Sequence, residues 1–243
     1  MEIQFGRGET SPKLLAFSLS RFDLAKLSSA NSCEYARLAI AYNSFIIRIY
    51  SNMNDDIKKL ALEWVSNDGP VELPEKYYCE TRDIFQARID NMIKEMIAVG
   101  ESSEGDAYMA GAVAGEIGNN SFDHNIGNWP DMAGIFFGYK ISNEAEIVLG
   151  DRGRGVMETL KRVKPEITSE QEAIKIAFFE KISGRAPEVR GNGLKFVRES
   201  VKLGKNHLTF ISGDAKAELN NDFDIGLADN KINGCLVIIK SKV

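Results

Sequence analysis

The sequence predicts an α/β protein, a two-layer sandwich in which helices pack on a mixed β-sheet, preceded by a mostly helical N-terminal region. The first third of the chain has apolar residues at helical spacing, whereas residues 134–140 and 144–150 resemble two strands of a hairpin. A helical segment and two short strand-like segments follow near the end. Because helices and strands do not alternate regularly, this order favours a sandwich over a repeating βαβ winding.

Length and composition restrict the class of protein. The 243 residues suffice for one large domain or two small ones. Apolar residues make up 44% and charged residues 27% of the chain, as in ordinary globular proteins, which excludes disordered, collagenous and coiled-coil classes. The formal net charge of −5 makes nucleic acid an unfavoured partner.

Cysteine usage and hydropathy bear on location. The three cysteines form no C-x-x-C pair and only two histidines are present, so a structural zinc site is disfavoured and a reduced cytoplasm fits best. The start of the chain lacks the apolar core of a signal peptide, and no stretch approaches the roughly 18 apolar residues of a membrane span. We therefore expect a cytoplasmic protein that does not enter a membrane.

The N-terminal elements are predicted as three helices. The first covers about 32–53, and the second covers about 55–65 after a capping Asn54. The third runs from Thr81 to Val99, and its spacing predicts a buried face made of Ile84, Ile89, Met92, Ile93 and Met96. The Pro70 to Pro74 stretch suggests a boundary between a helical region at 1–76, serving partner binding or packing, and a domain at 77–243.

The later elements surround one unusual helix. From Asp106 to Phe122 the spacing stays helical but small residues dominate, so this helix can lie close to a neighbouring layer and is expected to be central. The predicted hairpin comes next, followed by helices after Gly155 and from Leu194 to Leu203. Strands are expected at 207–213 and 234–240.

A polar stripe interrupts this central helix. Glu116 and Asn120 are four residues apart and Asp123 follows three later, so all three project from one helix face. A carboxylate beside an amide suits polarising a water and completing the oxygen shell of Mg²⁺, which takes few protein ligands. A solvated helix face is the alternative interpretation.

A second polar segment, Asp151-Arg152-Gly153-Arg154-Gly155, comes directly after a predicted strand. Glycines permit positive φ and close backbone approach to a ligand, and an aspartate there can accept a hydrogen bond from a purine amino group. A simple turn needs the same glycines and is the alternative. The dinucleotide fingerprint G-x-G-x-x-G and the Walker A loop are both absent.

A third polar segment, Arg190-Gly191-Asn192-Gly193-Leu194, directly precedes a helix whose first N–H groups and dipole favour phosphate. The stretch 152–198 contains eleven lysines and arginines and six glutamates, although the whole chain is acidic. This local excess suits a polyanionic ligand, and a charged surface loop is the ordinary alternative.

Together and in this order, the three segments resemble the ATP-binding domain of the GHKL superfamily, which includes DNA gyrase B, sensor histidine kinases and MutL and has the Bergerat fold. Glu116-x-x-x-Asn120 with Asp123-His124 resembles the asparagine box, Asp151-x-Gly153-x-Gly155 the first glycine box, and Gly191-x-Gly193-Leu194 the second. The resemblance covers about 81–243. Phe178-Phe179-Glu180-Lys181 also resembles a segment of the histidine kinase lid.

The resemblance implies a Mg·ATP site. Asn120 would bind Mg²⁺, Asp151 would hold the adenine amino group, and Glu116 would be the catalytic residue that orients water or assists transfer. The resemblance assigns ATP contacts to the other positions of the three boxes, namely Asp123, Gly153, Gly155, Gly191, Gly193 and Leu194. The sequence departs from the family pattern at Arg152, at Lys195, and at Gly234-Cys235, which replaces a frequent Gly-Thr pair.

Two missing features restrict which members of this superfamily the chain can resemble in function. Residues 1–110 contain no histidine, so phosphorylation in cis on an upstream histidine is excluded. The chain is also expected to lack a transducer domain after the nucleotide site. The leading hypothesis is an ATP-dependent protein that phosphorylates or switches a protein partner, with a homodimer as a further arrangement. The alternatives are a non-catalytic nucleotide-sensing interaction module and an unrelated α/β protein with coincidental glycines.

Overall fold

A β-sheet forms the centre of the protein in the computed structural model, which describes residues 57–69, 73–99, 103–180, 193–204 and 206–242. All of these residues belong to one compact unit, Asn54–Val243. The described part contains seven strands: β1 (Tyr78–Cys79), β2 (Ile135–Ile141), β3 (Glu144–Asp151), β4 (His207–Ser212), β5 (Ala215–Leu219), β6 (Phe223–Leu227) and β7 (Cys235–Lys242).

Besides a single 3₁₀ turn at Glu75–Tyr77, six α-helices accompany the sheet within the described residues. They are α1 (57–66), α2 (Arg82–Val99), α3 (Glu104–Asn125), α4 (Gly155–Lys161), α5 (Glu170–Phe179) and α6 (Gly193–Leu203). The α/β sandwich and the helices predicted at 55–65, 81–99, 106–122 and 194–203 are confirmed. The helix predicted at 32–53 lies outside the described residues.

The strand order is β1-β2-β3-β7-β4-β5-β6. The predicted hairpin is confirmed as β2 and β3, with Ile135 opposite Asp151 and Ile141 opposite Ala145. The sheet differs from the predicted mixed sheet, because each strand pair between described residues is antiparallel. Since β7 lies between β3 and β4, the last strand in chain order joins the two halves of the sheet.

The main core lies between one sheet face and helices α2, α3, α5 and α6. Side chains alternate along each strand, so Phe137 and Leu149 enter this core while Phe136 and Val148 point to the opposite face. The opposite face is covered over β2, β3 and β7 by α1, through Trp64 and Val65. The boundary placed after residue 76 remains a prediction.

Helix α3 is central, as its small residues predict. Ser103 caps it by accepting the N–H of Asp106 at 3.2 Å. A Cβ atom at Gly111 would lie 2.7 Å from Cγ1 of Ile93, and one at Gly118 would overlap the ring of Phe85. These two glycines therefore let α2 approach α3 closely, and α3 also contacts α6 on another side.

Some details differ from the sequence prediction. On α2, Phe85 is fully buried and replaces the predicted Ile84, which is 40% exposed. The short strands β5 and β6 and helix α5 were not predicted. Phe178, in the segment likened to a kinase lid, lies in the last turn of α5 and packs edge-on against Phe210 in the core. In the part of the chain that the structure describes, no helix combines the length and apolarity needed to cross a membrane.

Candidate functional site

Helix α3 brings two of the predicted site residues to the start of α6. Glu116 and Asn120 are partly buried, one turn apart, and both face Gly193, the first residue of α6. A Cβ atom at Gly193 would lie 2.9 Å from Cδ of Glu116 and 3.1 Å from Nδ2 of Asn120. The absence of a side chain at Gly193 therefore leaves room for a carboxylate and an amide at the first turn of α6.

The remaining predicted residues of this group have separate surroundings. Leu194, next to Gly193, is partly buried and packs against the main core. Asp123 forms an ion pair with Arg82 of α2, so its carboxylate links two helices. Gly191 lies outside the described residues.

Asp151 ends β3 and is 3% exposed. Its Oδ2 accepts the hydroxyl proton of Ser121 at 2.7 Å, and its Oδ1 accepts the backbone N–H of Gly153 at 2.8 Å. The N–H of Cys235, opposite it on β7, also donates to this carboxylate. Ser121 is the neighbour of Asn120 on α3, so the two predicted groups meet along one turn of this helix.

Burial is the main influence on the ionisation of Asp151 and of its neighbour Cys235. Removal from water raises the pKa of Asp151 above its ordinary value, and the hydrogen bonds from Ser121, Gly153 and Cys235 oppose that shift. Burial, followed by the charge of Asp151, raises the pKa of the Cys235 thiol well above its ordinary value. Cys235 is therefore a neutral thiol at physiological pH.

Asn125 joins the end of α3 to the first glycine segment. Its side chain is 4% exposed; its Nδ2 donates to the carbonyl of Ser121 at 2.8 Å, and its Oδ1 accepts the N–H of Arg154 at 3.1 Å. A Cβ atom at Gly153 would lie 2.5 Å from Cγ of Asn125. Gly153 is therefore needed for the close contact between the loop and this amide.

The other side of the first glycine segment rests on two sheet-end residues. Gly155 has φ +73°, and the N–H of the next residue, Val156, donates to Oγ of the fully buried Ser212 at 2.9 Å. Gly234 has φ +71°, and a Cβ atom there would lie 2.6 Å from both Oδ1 of Asp151 and N of Gly153. The backbone of 151–155 is therefore enclosed by α3 and by the ends of β4 and β7.

Arg152, the second residue of the 151–155 segment, points away from this network. It is 3% exposed, and its Nη1 donates to the carbonyls of Trp64 at 3.1 Å and Gly69 at 3.0 Å. Its Nη2 pairs with Asp131 at 2.5 Å. Arg152 thus holds the α1 segment against the end of the sheet, which is a structural role.

A cleft of about 450 Å³ opens beside the same loop. Its walls include 152–155, 231–234 and the side chain of Glu170, whereas Glu116, Asn120 and Gly193 do not line it. Glu170 accepts the N–H of Met157, and its Oε2 has no hydrogen-bond partner among the described residues. Burial and then Asp214 raise the pKa of Glu170. The glycine segment thus separates this cleft from Asn125.

The carboxylates and the amide of this arrangement are suited to binding a polar ligand. Asp151 has spare acceptor capacity, because a carboxylate offers about four lone-pair positions. Glu116 and Asn120 supply oxygens of the kind Mg²⁺ prefers. Within the described ranges, no group of three or more His, Cys, Asp or Glu side chains is placed to hold a metal by itself.

Sequence reasoning missed Ser121, Asn125 and Ser212. Ser121 and Asn125 occur in a polar helix end, where such residues ordinarily serve as caps, and Ser212 occupies an inward strand position. Only the contact with 151–155 distinguishes them, and that contact joins residues about 30 to 60 positions apart.

Comparison with known proteins adds no family to these observations: no protein-family model matches the chain, and a search of curated proteins finds no match.

Proposed function

We propose that the protein binds Mg·ATP between α3, the 151–155 segment and the start of α6, and uses ATP to phosphorylate or switch a partner protein. One observation carries this proposal. The buried Asp151, at the end of β3, accepts a hydrogen bond from Ser121 of α3, the residue adjacent to Asn120, so the carboxylate proposed to recognise the base is held against the turn of α3 that carries the amide proposed to bind the metal.

The roles in this proposal follow from chemistry and position. Asp151 accepts a hydrogen bond from the 6-amino group of adenine at its one remaining lone-pair position, because the other three are used by Ser121, Gly153 and Cys235, which fix the carboxylate in place. Asn120 supplies an oxygen to Mg²⁺, and Glu116 orients a water or assists transfer. Gly193 and Leu194 place the first turn of α6 next to both residues, where phosphate oxygens are favoured.

The departures from the family pattern are compatible with this assignment. Arg152 is engaged with backbone carbonyls of the α1 segment, so its positive charge does not compete for Asp151. Cys235 provides its backbone N–H to Asp151, which any residue type except proline can do. The described cysteines, Cys79 and Cys235, are free thiols, which is compatible with the cytoplasmic location that we propose for this activity.

The first test is ligand-dependent stability. Mg·ATP at about 100 times Kd should stabilise the protein by roughly 2.7 kcal/mol, or about 5–10 °C in Tm for a chain of this size. Asp151→Asn should abolish the shift, because an amide in this position no longer offers an anionic acceptor. Asp224→Asn, an exposed aspartate on β6, is the matched control. The absence of any shift up to millimolar ATP would reject the proposal.

The second test separates turnover from binding. Glu116→Gln should slow ATP loss about 100-fold or more if Glu116 acts on the reacting water, while Glu104→Gln at the exposed start of α3 should not. Equal ATP loss in Glu116→Gln and the unaltered protein would leave the alternative, a nucleotide-sensing module without catalysis. Labelled ATP added to a lysate of the source organism would then identify a phosphorylated partner.

A further inference from the structure

Asn125 directly follows the first of the three motifs in the sequence but belongs to none of them. Asn125 is the last residue of α3 and is 4% exposed. A buried amide is costly unless its donor and acceptor are both used. Here the donor serves the carbonyl of Ser121 and the acceptor serves the N–H of Arg154, so the side chain bridges helix and loop.

The two residues that Asn125 joins, Ser121 and Arg154, are also connected through Asp151. Ser121 donates its hydroxyl to Oδ2 of Asp151, and Oδ1 of Asp151 accepts the N–H of Gly153, which precedes Arg154. Asn125 therefore closes a ring that runs from α3 through Asp151 and the glycine segment and back to α3. The space for its amide exists because Gly153 has no side chain.

We infer that Asn125 is the positioning residue for base recognition: it fixes the distance between the Asp151 carboxylate and the α3 residues Glu116 and Asn120. This inference rests on the proposed Mg·ATP site. It assigns Asn125 an effect on the base end of the ligand alone, because its contacts reach Ser121 and Arg154 and not Gly193. The specificity for adenine over hypoxanthine is the property that Asn125 controls.

Inosine triphosphate (ITP) distinguishes an effect on base recognition from an effect on the whole site. Its base, hypoxanthine, carries a carbonyl oxygen where adenine carries its amino donor. The unaltered protein should bind Mg·ATP more tightly than Mg·ITP, because only adenine donates to Asp151. Asn125→Ala should weaken the binding of Mg·ATP about tenfold, because Asp151 is then no longer held in place for its hydrogen bond with the adenine amino group, and a hydrogen bond to a charged group contributes about this much. Mg·ITP should change by less than about threefold, so that the ATP-to-ITP preference collapses. A purely structural role would weaken both nucleotides equally.

Asn128→Ala is the matched control. Asn128 is exposed and also contacts Arg154, through its carbonyl at 3.2 Å from Nε and its Oδ1 at 3.3 Å from Nη2, but it does not reach the loop backbone. This variant should keep the ATP preference. If Asn125→Ala does not fold, Asn125→Asp retains the volume and the acceptor for Arg154 but replaces the amide donor, and it should lose the preference as well.

The measurement is isothermal titration of each folded variant with Mg·ATP and Mg·ITP. Unchanged affinities for both nucleotides in Asn125→Ala or Asn125→Asp overturn the inference and leave the proposed site intact. An equal loss for both nucleotides overturns it too, because Asn125 then supports the fold only. Failure of the unaltered protein to bind Mg·ATP is a different result and rejects the proposed function itself.

Discussion

The two ends of the candidate site are built differently. Around Asp151 the side chains of Ser121, Asn125 and Ser212 are fixed by hydrogen bonds, and backbone atoms approach at contact distance. Around Gly193, no hydrogen bond joins Glu116 or Asn120 to another described side chain, and both are partly exposed. The first end is suited to recognising one fixed group, and the second end keeps polar atoms available for a ligand.

The largest expected effect is at Gly234, within the fixed end. Gly234→Ala combines a positive φ with overlap onto Asp151 and Gly153, so we expect a loss of about 3 kcal/mol or more in unfolding free energy, measured by urea denaturation. Gly127→Ala has φ +69° but an open surrounding, and it should cost only about 1–2 kcal/mol. Equal losses in the two variants would show that the enclosure of 151–155 is loose.

The next largest effect on stability is expected at Arg152. Arg154 is its comparison, because the two arginines lie in the same loop but differ in burial. Arg152→Ala leaves the carbonyls of Trp64 and Gly69 without a donor, and should lower the unfolding free energy by about 2–3 kcal/mol. Arg154→Ala removes contacts with the exposed Asn128 and Glu158 and should cost less than about 1 kcal/mol. A reversed order in urea denaturation would contradict the structural role given to Arg152.

The buried carboxylate should make stability depend on pH in a characteristic direction. Because burial raises the pKa of Asp151 in the folded state, the folded protein holds the proton to higher pH than the unfolded chain. The unfolding free energy therefore falls as pH rises from the unfolded to the folded pKa, by at most about 1.4 kcal/mol per pH unit from this group. Urea denaturation across acidic pH should show this component in Asp224→Asn but not in Asp151→Asn.

Gly193 gives the smallest expected change in stability and defines the open end. In Gly193→Ala the new Cβ meets the ends of the Glu116 and Asn120 side chains, which can rotate away, so the unfolding free energy should change by less than about 1 kcal/mol. Displacing both side chains should nevertheless weaken Mg·ATP about tenfold in titration, as one charge-assisted contact is lost. A stability loss as large as that of Gly234→Ala would show that both ends are equally rigid.

Periodicity predicted the long elements well. Helix α2, helix α3 and the β2–β3 hairpin each have an apolar pattern in the sequence, so they could be predicted without knowledge of distant contacts. Helix α5 was missed although its start has a capping signal, with Ser169 accepting the N–H of Glu172. Strands β5 and β6 have only five residues each, and β5 buries alanines, which have little strand preference.

The site was predicted only as far as its residue types. The resemblance of 116–120 and of the glycines at 153 and 193 to the boxes of the GHKL domain implied a shared site, and the structure places Glu116 and Asn120 against Gly193. Arg152 shows the limit, because the sequence cannot tell that its guanidinium turns toward Trp64 on the opposite sheet face. Asn125 depends on the approach of α3 to a loop 29 residues later, which is a property of the folded chain.

The position of β7 also determines how the protein can assemble during synthesis. Residues 135–151 and 207–227 can each form local hairpins soon after they leave the ribosome, but β3 and β4 have no common partner until residues 235–242 are made. Since Cys235 and Gly234 complete the surroundings of Asp151, the proposed base-binding end is also finished last. A nascent chain that stalls before β7 would expose the edges of β3 and β4 and would lack part of the surroundings of Asp151.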